Sequence, residues 1–175
     1  MARRAVLPRR LARTTALVVG EGHAEVALVK HLRSLYTGGH VGFAVTVHNA
    51  RGFGAGHVID QTIRQSRLLA YDHRVALFDT DAGWTDAVQA HARRNKIVVV
   101  PSTPCLEAWL LDIVGRAGER DTPGHKAEFE RRFGCIANDS RALAYFPREV
   151  LDEARLRVAT LDVLLTSMGV PSAPR

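Results

Sequence analysis

A chain of 175 residues, 46% of them hydrophobic, can build one compact domain with its own core. No apolar run approaches the roughly 20 residues of a membrane-spanning helix. The run Ala16–Val19 is too short for a signal-peptide core and passes straight into Gly20-Glu21-Gly22, so a cytoplasmic protein is expected. The formal charge of +6 is unevenly spread: Arg3, Arg4, Arg9, Arg10 and Arg13 supply five of those charges with no acid among them, leaving +1 for the rest. Residues 1–14 therefore read as a basic tail. It can either hold a phosphate backbone or stand as a solvated extension. The two cysteines, Cys105 and Cys135, lack metal-ligand spacing and are expected as free thiols, which argues against a zinc site.

In chain order, Thr15–Val19 predicts a strand buried on both faces. A helix is predicted over His23–Tyr36, with Val26, Leu28, Val29, Leu32 and Leu35 on its apolar face and Gly38-Gly39 ending it. Phe43–Val47 is a second strand, and the glycine-rich loop Arg51–Gly56 leads to a helix from about His57 to Ala70. Val75–Phe78 predicts a third strand, Thr85–Arg94 a helix and Ile97–Val100 a fourth strand. Alternating strand and helix predicts a parallel sheet with right-handed crossovers. Beyond it, Leu106–Val114 and Lys126–Phe133 read as helices separated by a loop over 115–124, and Pro147 opens a final helix to about Ser167. The expected fold is α/β and Rossmann-like, a mainly parallel sheet of about four strands flanked by helices, with further helices at the C-terminus. Residues 15–170 form a single domain.

The acids fall at the ends of the predicted strands. Glu21 follows the first; Asp79 and Asp81 follow the third; Glu107 comes shortly after the fourth. Parallel strands bring these ends to one edge of the sheet, where open α/β folds bind ligands. Gathered carboxylates repel one another and call for a cation, and an all-oxygen set favours Mg²⁺ or Mn²⁺. Asp79 and Asp81, at i and i+2, point the same way in an extended chain and can grip one cation or two. The competing explanation is helix capping, which suits them poorly because the next helix begins nearer Thr85. Glu21 can ligate metal, act as acid or base, or serve the dipole of the helix it precedes, a task open also to Glu25. Glu107 lies in a mostly apolar stretch where a charge needs a partner, unless it faces solvent. The loop Arg51–Gly56 has neither a Walker A nor a dinucleotide-binding pattern and reads first as turn geometry. Lys126 can neutralise a phosphate or sit on the surface, and Arg51, Arg64 and Arg67 are candidate backbone contacts.

The order Glu21-Gly22, then Asp79-Thr80-Asp81, resembles the TOPRIM domain of topoisomerases, bacterial primases, recombination-repair proteins and OLD-type nucleases. The string Pro104-Cys105-Leu106-Glu107-Ala108-Trp109 resembles the Pro-x-x-Glu-x-Trp segment of RloB-like proteins, small TOPRIM-type proteins often associated with prophage and defence loci. The resemblance covers about residues 15–133. It implies a compact parallel-sheet fold that holds Mg²⁺ near a phosphodiester. Glu21, Asp79 and Asp81 would then be metal ligands, with Glu21 also an acid-base group, Glu107 a further active-site acid and Lys126 a phosphate-facing cation. The implied activity is a metal-dependent phosphodiesterase acting on DNA or RNA, possible in phage defence. The alternative is a non-catalytic metal- or nucleic-acid-binding module working with a partner ATPase.

Overall fold

The computed structural model describes residues 14–37, 42–116 and 118–174; the arginine-rich segment 1–13 lies outside the described residues. The elements run β1 (Thr14–Gly20), α1 (His23–Tyr36), β2 (Phe43–Asn49), α2 (Gly54–Ser66), β3 (His73–Asp79), α3 (Asp86–Arg94), β4 (Val98–Ser102), α4 (Leu106–Ile113), α5 (Thr122–Phe133), a 3-10 turn (Ser140–Tyr145), α6 (Arg148–Ala154) and α7 (Ala159–Ser167). All strand pairs are parallel and the sheet order is β2-β1-β3-β4. The chain moves outward from β1 to β2, returns past β1 to β3, and then reaches β4. The order therefore reverses between β1 and β3, and the carboxyl ends of those two strands flank the switch point where α/β sheets leave a crevice.

Alternation of side chains along each strand sends one set to each face. Val18, Val75, Leu77 and Val100 meet α1 and the C-terminal helices in the larger core. Leu17, Val19, Ala76 and Phe78 meet α2 and α3 in the smaller one. Both faces of the central strands β1 and β3 are covered, which explains why those two read as continuous apolar runs. Phe78 packs against Trp84 at 4.9 Å between ring centroids. The Trp109 indole N–H donates to Thr160 Oγ1 at 2.8 Å, tying α4 to α7. No helix among the described residues is long and apolar enough to cross a membrane. Cys105 and Cys135 are free and buried.

Among the helices, three readings differ from expectation, while β2 and β4 each run two residues past their expected ends. Helix α2 begins at Gly54 and ends at Ser66, earlier at both ends than the periodicity indicates. Helix α5 starts at Thr122, because the Asp121 side chain accepts from Gly124 N and Pro123 fits the first turn. The single final helix is two, α6 and α7, parted at 155–158. Here tertiary bonds outcompete helix continuation. The Arg155 side chain turns inward to Asp162 (2.6 Å) and also donates to the Pro171 carbonyl. Arg157 reaches back to the Asp112 and Ile113 carbonyls at the end of α4. Arg155 is nearly buried and Asp162 partly so. Arg155→Ala is expected to cost about 2 kcal/mol, below the 3–5 of a fully buried pair, and to lower Tm by about 5 °C in thermal unfolding. An unchanged Tm would show that this pair does not hold the α6–α7 corner.

Candidate active site

At the carboxyl edge of β1, the backbone N–H of Glu21 still bonds to the Leu77 carbonyl of β3 (3.0 Å), so Glu21 is set by the sheet itself. Its carboxylate is a brace between segments. Oε1 accepts from Gly54 N (3.1 Å) and Oε2 from Asp79 N (3.2 Å), while the Glu21 carbonyl accepts from Gly52 N (2.8 Å). One side chain thus joins the end of β1 to the start of α2 and the end of β3. A carboxylate has about four lone-pair sites, so two remain for other partners.

Asp79 ends β3, half-buried, with its Oδ1 buried and without a hydrogen-bond partner. The β3–β4 register places it beside Ser102, whose Oγ is also buried and unpartnered. Neighbouring residues across a parallel ladder project to the same side, so two orphaned oxygens occupy adjacent positions. Buried polar atoms normally have partners. Burial, followed by the charges of Glu25, Glu21, Glu107 and Asp81, pushes the Asp79 carboxyl up to about 8. Glu21, Asp81 and Glu107, the other three acids singled out in the sequence, thus lie near enough to disfavour the charge of Asp79.

Glu25 is the fifth acid and one that sequence reasoning assigned to the helix dipole. It is buried, and it accepts from Gly22 N at 2.9 Å. Burial raises its pKa, backbone hydrogen bonds oppose the rise, and Glu21 and Glu107 add to it. The signal was present in the pattern: Glu25, Val29, Leu32 and Tyr36 lie at helical spacing and all four are buried. Gly20 makes this possible. A Cβ there would stand 2.8 Å from Glu25 Cβ, so only glycine lets the first turn of α1 come so close to β1.

The remaining predicted residues divide. Asp81 is exposed, and its Oδ2 accepts from Thr122 Oγ1 (3.0 Å) at the start of α5. Its backbone N–H and that of Thr80 both bond to the Pro104 carbonyl, holding the loop to the segment that leads into Glu107. Glu107 is half-buried in the first turn of α4. With burial as the main cause and Asp79 adding, it contributes to pushing the Cys105 thiol up to about 11, an unreactive value. Lys126 is exposed on α5, four residues after Thr122 and so on the same helical face. Arg51 is exposed at the end of β2, beside the Glu21 brace. Arg64 and Arg67 are not brought there. They end α2, about 20 Å of helix from its start, where Ala70 and Asp72 bond to Thr15 at the opposite edge of the sheet.

Comparison with family models, with curated proteins and with solved structures returns no match. The functional reading therefore rests on the site and its chemistry.

A cation can be weighed against the residues directly. The donor types fit a hard divalent ion, since all are oxygens. The unpartnered Asp79 Oδ1 and the raised Asp79 pKa are what a carboxylate shows when compensating positive charge is missing. As the side chains stand, however, no three His, Cys, Asp or Glu among the described residues are arranged to hold a metal ion. The five acids form a charge cluster, within electrostatic range but not a ready-made cage. A separate cavity of about 450 Å³ lies beside β4 and is lined by Pro101, Thr103, Pro104, Trp109, His125 and Thr160, among others; none of the five acids lines it.

The loop opposite the cluster has an unusual backbone. Arg51, Gly52, Phe53 and Gly54 all have positive φ (67°, 90°, 75° and 75°). For the two non-glycine residues this conformation costs about 1 kcal/mol each. It is held by the two bonds to Glu21 and by Asn49 Oδ1, which accepts from Arg51 N at 2.7 Å.

Proposed function

We propose that this chain is a metal-dependent phosphodiesterase acting on nucleic acid. The observation that carries the reading is the convergence of Glu21, Glu25, Asp79, Asp81 and Glu107 at the switch point, centred on an Asp79 carboxyl with an unpartnered oxygen. The resemblance of Glu21-Gly22 and Asp79-Thr80-Asp81 to the TOPRIM motif, and of the Glu107 segment to RloB-like proteins, supports the same reading.

Asp79 and Asp81, with Glu21 or Glu25, would hold Mg²⁺ or Mn²⁺. When bound, such an ion would supply Lewis-acid polarisation of a phosphate oxygen and a more acidic water. Glu21 would hold the end of β3 and the start of α2 in place around the reacting phosphate. Glu25 and Glu107 are the groups available to take a proton from the attacking water, Glu25 being the one whose raised pKa suits that task. Lys126, on the same face of α5 as the Thr122 that bonds to Asp81, and Arg51, beside Glu21, supply the positive charge that a phosphodiester needs on two sides of an acidic site. Arg64 and Arg67 would serve only a substrate long enough to reach the opposite edge of the sheet.

The test is cleavage of plasmid, single-stranded DNA and total tRNA with Mg²⁺, Mn²⁺ or EDTA. Metal-dependent cleavage is expected, reduced by at least about 10³-fold in Asp79→Asn, since a ligand to the catalytic ion is lost. Equal cleavage by folded Asp79→Asn would remove the site from the chemistry. An intact panel with well-folded wild type would assign the site to binding, with catalysis supplied by a partner such as an ATPase.

A further inference from the structure

The geometry points to Phe53 as a stacking platform for an unpaired base, so that the site takes single-stranded or locally opened nucleic acid rather than intact duplex. This inference rests on the phosphodiesterase reading above and narrows its substrate.

Phe53 is the most exposed large hydrophobic side chain among the described residues, at 84%, and belongs to neither core. A phenylalanine in a left-handed turn loses conformational energy and, exposed to water, gains nothing from burial. Folding therefore does not explain it. Its position is nevertheless well determined. The residues on either side of it, Gly52 and Gly54, both donate to Glu21. Its ring meets the His57 imidazole edge-on, 5.3 Å between centroids and 65° between planes. His57 in turn bonds to the Ala50 carbonyl (3.1 Å). A fixed aromatic ring with most of its surface in solvent is thus mounted directly on the residue that braces the acid cluster.

The surroundings select the partner. A Cβ at Gly54 would stand 3.4 Å from the Ala82 carbonyl, so the Phe53 loop lies against the loop that carries Asp81. Arg51, two residues before Phe53, is exposed and also held in a left-handed conformation. An exposed cation two residues from an exposed aromatic ring, both on the loop bonded to Glu21, suits one phosphate and the base attached to it. Every base has a π-face, and stacking on it does not depend on sequence. In a duplex those faces are covered by neighbouring base pairs, so the ring discriminates by strandedness. A protein partner docking on Phe53 would not need the acids below it.

Binding can be read by fluorescence anisotropy in the Asp79→Asn background, which removes cutting. The probes are a labelled single strand of about 15 nucleotides and the same strand as a blunt duplex. Phe53→Ala is expected to weaken single-strand binding by about 10-fold and duplex binding by less than about 2-fold, with Phe53→Trp restoring the single-strand affinity. Unchanged single-strand affinity in Phe53→Ala would overturn the inference, as would equal losses for both probes. In either case nucleic-acid binding itself would persist and the phosphodiesterase reading would stand. No binding of either probe by the parent chain would overturn both.

Discussion

Asp79→Asn is expected to raise the melting temperature of the metal-free protein at pH 8 and to leave it nearly unchanged at pH 4. In the folded chain the Asp79 carboxyl holds its proton up to about pH 8, because burial and four neighbouring acids disfavour its charge. In the unfolded chain it ionises near its ordinary value of 3.8. A folded pKa above the unfolded one contributes stability that is complete below the unfolded value and is lost as pH rises through the folded one. The penalty therefore grows between about pH 4 and pH 8, at up to about 1.4 kcal/mol per pH unit, and is constant above that. Asparagine does not titrate and escapes it. After allowance for the partial exposure of the site, the two proteins should differ by a few kcal/mol at pH 8, or about 5–10 °C. Mg²⁺ or Mn²⁺ should close the gap by raising only the wild type, since an ion that binds the folded state stabilises it by mass action. A gap independent of pH, or a cation that shifts both proteins alike, would refute this account of the cluster.

Glu21→Ala should have the second large effect, of the opposite sign. It strips acceptors from two backbone N–H groups, those of Gly54 and Asp79, where the end of β1 meets the start of α2 and the end of β3. Hydrogen bonds to charged groups contribute about 1.5–3 kcal/mol each, and part of that returns if water enters. A net loss of about 2–4 kcal/mol is expected by urea unfolding. Glu21→Gln should recover only part of it, because its amide presents one oxygen where two are in use. Lys126→Ala, by contrast, removes an exposed side chain and should leave stability within about 0.5 kcal/mol. If Glu21→Ala unfolds at the same urea concentration as wild type, the carboxylate is not the brace that its bonds indicate.

Much of this arrangement was legible in the sequence, and the reasons are particular. Three continuous apolar runs, closed by Gly20, Asp79 and Pro101, read as strands of a covered sheet, and a parallel order then fixes where Glu21, Asp79 and Asp81 emerge. Glu25 was visible as part of the buried stripe of α1, but an acid in a first helical turn already has an explanation in the helix dipole, and that explanation displaced the better one. Ser102 was hidden because β4 runs two residues beyond its apolar core, and only the register shows that it faces Asp79. The break between α6 and α7 depends on Arg155 meeting Asp162, seven residues on, which helical periodicity does not encode. Phe53 was concealed by the glycines around it, which read as a turn whatever the turn displays.

The strand order carries one more implication. β1 and β2 are close in sequence, but β3 enters on the other side of β1, joined to it through Thr15 and Asp72, and β4 joins only β3. The acids of the site accordingly come from stretches of chain that meet only when the sheet is whole. A fragment ending before β3 would hold Glu21 and Glu25 with no Asp79 between them, and one ending before β4 would leave Asp79 at an open edge in water. Mutual repulsion among five carboxylates would be felt only by a chain that has already made the apolar contacts able to withstand it. Chemical competence and complete architecture should therefore appear together, and truncations should abolish both at the same boundary.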